Sequence, residues 1–351
     1  MRTVRDFDFN GKTVLVRVDY NVPLENGVVT DDLRVRASVP TIEYLRENGA
    51  KKIVLISHLG RPEGVDESLS LAPVAKVLDG LVGQVKFVPA VSGEEVSSAV
   101  AAMKDGEILL LENLRFNPGE EANDVEYIKG IIDAVGAEVY VQDGFAVVHR
   151  AHASTSAVAE FLPVVAGLLL EKEIVNLEKV MNEPEKPFLM IIGGSKVEDK
   201  APLIDKFVNV ADNIVVGGKI AADGYDAGEH ADKIYVAEDF DEDGAGAKLD
   251  VGPVSTGKIA EYIKGAKTII WNGLMGKAED PAYATASTIV ATLVGENTDA
   301  TTVICGGDTT GFVENLMETH PDLKYTLIST GGGAALEFLL GKELPGIKVI
   351  K

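Results

Sequence analysis

The stretch Val14–Pro23, VLVRVDYNVP, opens as an apolar strand and then sets Arg17, Asp19 and Asn21 at alternate positions just ahead of a turn. Alternation along a strand puts those three side chains on one face. A strand that only had to pack would carry Val or Ile there. The expectation is a buried strand whose carboxyl end meets a ligand.

Working outward, similar apolar runs recur: KIVLISH, VKFV, EILLLEN and EVYVQD, with helix-like stretches around Val39–Asn48, Leu71–Leu81 and Asp124–Val135 between them. Repeated strand–helix–strand units predict a parallel sheet covered by helices on both faces. The scheme starts again with PFLMIIGG, NIVVGG, KIYVA, TIIWNG, TTVICGG and YTLISTGG. Between the halves lies AGLLLEKEIVNLEKVM, amphipathic and free of Gly and Pro after its second residue, which predicts a linker helix over 166–182. The fold class expected is α/β, two doubly wound parallel-sheet domains joined by a helix. The first domain would be 1–165 and the second 166–335. The tail 336–351, apolar at Leu344, Ile347 and Ile350, would return to the first domain. Residues 227–252, rich in Asp, Gly and Ala, read as loop with one short strand.

Composition narrows the function. Charged residues make up 25% of the chain and apolar ones 46%, and the formal net charge is −22. So negative a chain argues against nucleic acid and against an anionic membrane as partner. No apolar run reaches the roughly 18–20 residues of a membrane span, and Met1–Asn10 lacks the apolar core of a signal peptide. With Cys305 as the single cysteine, the cytoplasm is the expected compartment. All nine arginines fall within the first 150 residues. Arg is the bidentate fork for carboxylate and phosphate, so the first half is expected to grip an oxyanion.

The strand ends differ between the halves. Those of the first end in charge (RVDYN, SHLGR, ENLR, with HRAH beyond), and those of the second end in glycine (IIGG, VVGG, WNG, ICGG, STGGG). Ligands of open α/β sheets bind at the carboxyl ends of strands. Gly306-Gly307-Asp308-Thr309 and Gly331-Gly332-Gly333 suit backbone amides presented to phosphate at helix starts, or tight turns with an Asp/Thr cap. Asp308 could hold Mg²⁺, which takes one or two carboxylates plus substrate phosphates. Lys196 and Lys200, four apart in GGSKVEDK, would share a helix face at its start, where cations oppose the dipole and an anion partner is favoured. The stretch Gly252–Ile259, GPVSTGKI, lacks the final hydroxyl of a nucleotide loop and is rejected. His58, His149 and His152 sit among arginines, which favours neutral donors, or extra cations once an anion binds, over acid–base catalysts.

Taken together, RVDYNVP, SHLGRP, LLLENLRF, HRAHAS, GGSKVEDK, WNGLMG, GGDTTG and STGGGAALEFLLGKELPG resemble the phosphoglycerate kinases, nearly end to end and in order. The resemblance implies a hinge-bending enzyme of glycolysis that moves the acyl phosphate of 1,3-bisphosphoglycerate to ADP, giving 3-phosphoglycerate and ATP, reversibly and with Mg²⁺. Carried onto this chain, Asp19 and Asn21 would orient 3-phosphoglycerate, with Arg17 bracing Asp19. Arg34, Arg61, Arg115 and Arg150 would contact its carboxylate and phosphate, with His58 and His152 nearby. The catalytic set implied is Arg34, Lys196, Gly307 and Gly333. The nucleotide set implied is Gly194, Lys200, Gly218, Leu249, Asn272, Glu279 (on the ribose), Gly306, Gly307, Asp308 and Thr309, with Mg²⁺ on Asp308. A monomer is expected, with small-molecule partners only. Departures from the family pattern include Cys305, Leu274 and Lys277-Ala278. The segment between Gly228 and Leu249 is short where the family carries a further helix and strand near the adenine. Another acyl-phosphate or carboxylate kinase and an inactive phosphoglycerate sensor are the competing readings.

Overall fold

The computed structural model describes residues 1–350; Lys351, the last residue of the expected returning tail, lies outside the described residues. The chain forms two compact units, Met1–Lys172 together with the segment that begins at Glu343, and Glu173–Lys342.

The first unit carries β1 (Thr13–Arg17), a hairpin of β2 (Leu24–Glu25) and β3 (Val28–Val29), β4 (Lys52–Ile56), β5 (Val85–Val88), β6 (Ile108–Leu111), β7 (Val139–Gln142) and β8 (Val164–Ala166). Six of these form a parallel sheet in the order β5-β6-β4-β1-β7-β8. Val14, Leu15 and Val16 are fully buried, as expected of a central parallel strand covered on both faces. The helices are α1 (Leu33–Glu47), α2 (Ala72–Val82), α3 (Glu94–Ala101) and α4 (Val125–Val135). α4 shows how local sequence places them. Asp124 caps its start by accepting from the Glu126 and Tyr127 amides, left-handed Gly136 ends it, and Ile128, Ile131, Ile132 and Val135 face the core. The linker helix, α5, spans Leu168–Asn182 and buries Leu170, Ile174, Leu177 and Val180.

The second unit repeats the plan with β9 (Phe188–Ile192), β10 (Asn213–Val216), β11 (Ile234–Val236), a hairpin of β12 (Phe240–Glu242) and β13 (Lys248–Val251), β14 (Thr268–Asn272), β15 (Thr301–Cys305) and β16 (Leu327–Ile328). Its parallel sheet runs β11-β10-β9-β14-β15-β16. The helices are α6 (Val197–Phe207), α7 (Gly218–Ala222), α8 (Pro253–Gly265), α9 (Thr285–Glu296), α10 (Gly307–Thr319) and α11 (Gly332–Leu339). The last helix, α12 (Pro345–Lys348), belongs to the first unit, where the Gly346 amide donates to the Val148 carbonyl at 2.8 Å.

Residues 227–252 are more ordered than their composition suggested. They hold β11 and the β12–β13 hairpin. Asp243 closes that hairpin by accepting from the Ala245 and Ala247 amides, a local side-chain turn that makes an Asp-Gly-Ala stretch regular.

Candidate active site

In the first unit the ends of four neighbouring strands, β6, β4, β1 and β7, bring the charged residues together. β1 stops at Arg17, so Asp19 and Asn21 stand on the turn beyond it and not on the strand face. Arg17 does not brace Asp19. Arg34, in the first turn of α1, does so instead, with Nη1 2.6 Å from Asp19 Oδ2. Arg17 is instead fully buried and directed at His58 and Ser154. Asn21 accepts from the Gly60 amide at 2.8 Å, which ties the first strand's turn to the SHLGRP loop. The Arg115 guanidinium donates to the Gly60 carbonyl at 2.7 Å and pairs with Glu121 at 3.0 Å. Arg150 lies half-buried against His149, and Arg61 is exposed on the loop.

His58 is 4% exposed. Burial first, then the guanidiniums of Arg17, Arg115, Arg34 and Arg150, hold its pKa well below the ordinary histidine value. Burial likewise brings His152 down to about 4, with Arg115 and Arg150 adding to the effect. Two neutral imidazoles among four guanidiniums, those of Arg17, Arg34, Arg115 and Arg150, are hydrogen-bonding groups in a strongly positive field, suited to a small dianion or trianion. The cluster includes Ser57, Glu120 and Ser154, which sequence reasoning missed. Ser154 lay within HRAHAS, but nothing in its type distinguished it from a turn residue.

In the second unit the strand ends enclose a cleft of about 530 Å³. Its lining includes Gly194, Lys196, Lys200, Gly218, Leu249 and Glu279, then Gly306–Thr309 and Gly333, all expected from the sequence. The first residues of α6, α10 and α11 all reach it, so three positive helix ends converge. A Cβ on Gly332 would lie 3.0 Å from the Gly307 amide nitrogen, so the starts of α10 and α11 nearly touch. Gly306 has φ +96°, which L side chains rarely adopt. Lys196 precedes α6 as its extended cap residue, so it does not share a helical face with Lys200. Asn272 is fully buried beneath the cleft; it accepts a hydrogen bond from Lys200 Nζ and donates to the Cys305 carbonyl at 2.9 Å. Burial lowers the Lys200 pKa. Asp308 is exposed at the start of α10, and a carboxylate beside amide donors fits a magnesium ion that arrives on a nucleotide's phosphates. Phe240, Lys248, Met275 and Leu336 also line the cleft. The first two come from the hairpin that composition concealed. None of the lining comes from Gly252–Ile259, where Gly252 merely caps α8.

The phosphoglycerate kinase family model matches residues 4–231 and 222–342. The phosphoglycerate kinase of Dictyoglomus turgidum is 42% identical over 394 aligned positions, covering 99% of this chain and 98% of that protein. That of Moorella thermoacetica is 43% identical, covering 98% of each. Among solved structures, phosphoglycerate kinase from Coxiella burnetii superposes with TM-score 0.81 at 32% identity over 99% of this chain and 98% of its own. Phosphoglycerate kinase from Pyrococcus horikoshii does so with TM-score 0.87 at 29% identity, over 100% and 98%. Two six-stranded parallel sheets, together with these matches, thus define a two-domain α/β kinase. The chain belongs to the phosphoglycerate kinase family, and it is an enzyme with that kinase activity, in glycolysis. The family uses a magnesium nucleotide. The two matched segments overlap at 222–231, and this chain's 351 residues are fewer than the 394 aligned positions. Among the described residues no helix is long and apolar enough to cross a membrane.

Proposed function

We propose that the first unit binds 3-phosphoglycerate and the second binds MgATP or MgADP, with direct phosphoryl transfer between them. The observation that carries this division is the cleft of the second unit, where three helix starts, Lys200 and Asp308 converge. In this reading Asp19 and Asn21 orient the glycerate. Arg61, Arg115 and Arg150 hold its anionic groups, with His58 and His152 as neutral donors. Lys196, Lys200 and the Gly307 and Gly333 amides meet the nucleotide phosphates and the group in transit. Gly194, Gly218, Leu249 and Glu279 face the nucleoside, and Asn272 acts through Lys200. Bound on Asp308, Mg²⁺ would neutralise the charge of the β- and γ-phosphates.

Arg34 stabilises the transferring group. Its 2.6 Å ion pair with Asp19 holds a charged fork at the glycerate edge. Phosphoryl transfer asks the protein mainly for positioning and charge stabilisation, and no residue here needs to form a covalent intermediate. Because donor and acceptor are assigned to different units, the reading requires closure to bring them to roughly 3–3.5 Å. The protein is read as a cytoplasmic monomer. A coupled assay with ATP and 3-phosphoglycerate tests the whole reading: ADP formation dependent on both substrates and on Mg²⁺ is expected, and none would exclude it.

A further inference from the structure

Beneath the anion cluster runs a line of buried polar groups. Glu120 is fully buried and accepts two hydrogen bonds from Ser154, from its amide at 3.1 Å and from its hydroxyl at 2.6 Å. That commits the hydroxyl's only hydrogen, so Ser154 Oγ faces Arg17 as an acceptor, and Arg17 Nε donates to it at 2.9 Å. Arg17 is 1% exposed. Its Nη1 donates to the Val18 carbonyl and to Ser57 Oγ, and its Nη2 lies 3.1 Å from His58 Nδ1.

A guanidinium carries donors only. His58 Nδ1 must therefore be the acceptor, and the ring's single hydrogen must sit on Nε2. Among the described residues Nε2 has no protein partner. The charged groups facing the ring are Arg17 at the end of β1, Arg34 in α1, Arg115 after β6 and Arg150 after β7. All four are cations, and each opposes a second proton on the imidazole.

We propose that Arg17 is a positioning residue that locks His58 in the Nε2–H tautomer, held in turn by Ser154 and Glu120, so that His58 offers 3-phosphoglycerate an uncharged hydrogen-bond donor that does not change between pH 5 and 8. The proposal rests on the reading that His58 touches the glycerate. The donors run both ways from Arg17: back to Ser154, which donates in turn to Glu120, and forward to His58, which is left to donate outward. A protonated His58 would add charge to the site only in acid. A fixed neutral donor gives the same contact throughout that range, and the guanidiniums supply the charge.

The test uses the full-length enzyme labelled with ¹⁵N at its five histidines, with His58→Asn identifying the His58 signals. Two-bond ¹H–¹⁵N spectra should show unprotonated Nδ1 and protonated Nε2, unchanged from about pH 5 to 8. A protonated Nδ1, or titration within that range, overturns the proposal whatever any variant does. Arg17→Lys keeps the charge but offers a point donor that cannot span Ser154 and His58 together. It should give mixed His58 tautomers and raise the KM for 3-phosphoglycerate roughly 10-fold, with kcat less affected. Ser154→Ala should move both in the same direction, by roughly 3-fold in KM. If both variants fold, judged by circular dichroism, and leave tautomer and KM at wild-type values, the lock is wrong. Should Arg17→Lys not fold, the wild-type spectrum and Ser154→Ala decide alone. If the wild-type tautomer is as stated but His58→Asn leaves the KM for 3-phosphoglycerate unaltered, the glycerate contact fails while the lock stands, and the donor role is withdrawn.

Discussion

Arg34 holds Asp19 with one nitrogen at 2.6 Å, and its side chain remains 32% exposed. That leaves part of the fork for a ligand. A lysine could keep the ion pair but not a second, coplanar contact to a phosphoryl oxygen. Arg34→Lys should therefore lower kcat about 10²-fold or more while leaving the KM for ATP nearly unchanged, as steady-state kinetics would show; an unaltered kcat removes Arg34 from the transfer step. His152 makes a second, thermodynamic prediction. Burial holds its pKa at about 4 in the fold, against 6.5 for the free side chain. On acidification from pH 6.5 towards 4 the unfolded chain takes up a proton that the folded one refuses, so stability falls through that window. Asp143 acts oppositely. Burial lifts its carboxyl to about 7 from 3.8, so its contribution falls as pH rises from 4 to 7. The urea midpoint of the wild type should fall more steeply than that of His152→Asn as pH drops from 6.5 towards 4, because only the wild type carries this proton-linked loss. Parallel curves would contradict the depressed pKa.

The β12–β13 hairpin brings Phe240, Lys248 and Leu249 to the cleft wall, with the Lys248 ammonium 4.8 Å from the Phe240 ring centroid. The Lys277 amide donates to the Leu249 carbonyl at 2.8 Å, which joins the hairpin to the loop carrying Glu279. The residues proposed to meet the phosphates, by contrast, lie at helix starts and over buried hydrogen bonds through Asn272. If the hairpin faces the base as proposed, an exposed lysine over one ring makes a thin base pocket, and lost apolar contact is worth only ~1–3 kcal/mol. GTP should therefore be used within roughly tenfold of ATP in kcat/KM. A preference for ATP above a thousandfold would show that the hairpin discriminates bases after all.

For the whole enzyme, α12 is the element to remove. The chain from Glu343 onward belongs with the first unit, and Gly346 lies so close to Val148 that an added Cβ would sit 2.9 Å from the Val148 Cα. Val148 immediately precedes His149 and Arg150, so the tail buttresses the HRAH loop. A chain ending at Lys342 should lose kcat while keeping its nucleotide affinity, measured by calorimetry with MgADP; loss of that affinity, or full activity, would refute the buttress. If transfer needs closure, solution scattering should give a smaller radius of gyration with both substrates bound than with neither.

Local chemistry explains why much of this enzyme could be read from residue order. Continuous apolar runs ending in charge or in glycine mark parallel strands and their ligand ends, because a strand buried on both faces has no polar alternation to hide its limits. Much of the lining of the second unit's cleft was legible too, because glycines at helix starts stand out in the sequence. Three features were not legible. Arg17 and Asp19 are two residues apart yet turn to different partners, because β1 ends at Arg17 and the partners come from α1, β4 and the HRAHAS loop. Glu120 and Ser154 look like surface and turn residues until packing buries them fully. The β12–β13 hairpin has a loop's composition and is made regular by the Asp243 turn. In each case the deciding energy is a hydrogen bond or a desolvation between groups distant in the chain or hidden in an irregular turn, which periodicity does not report.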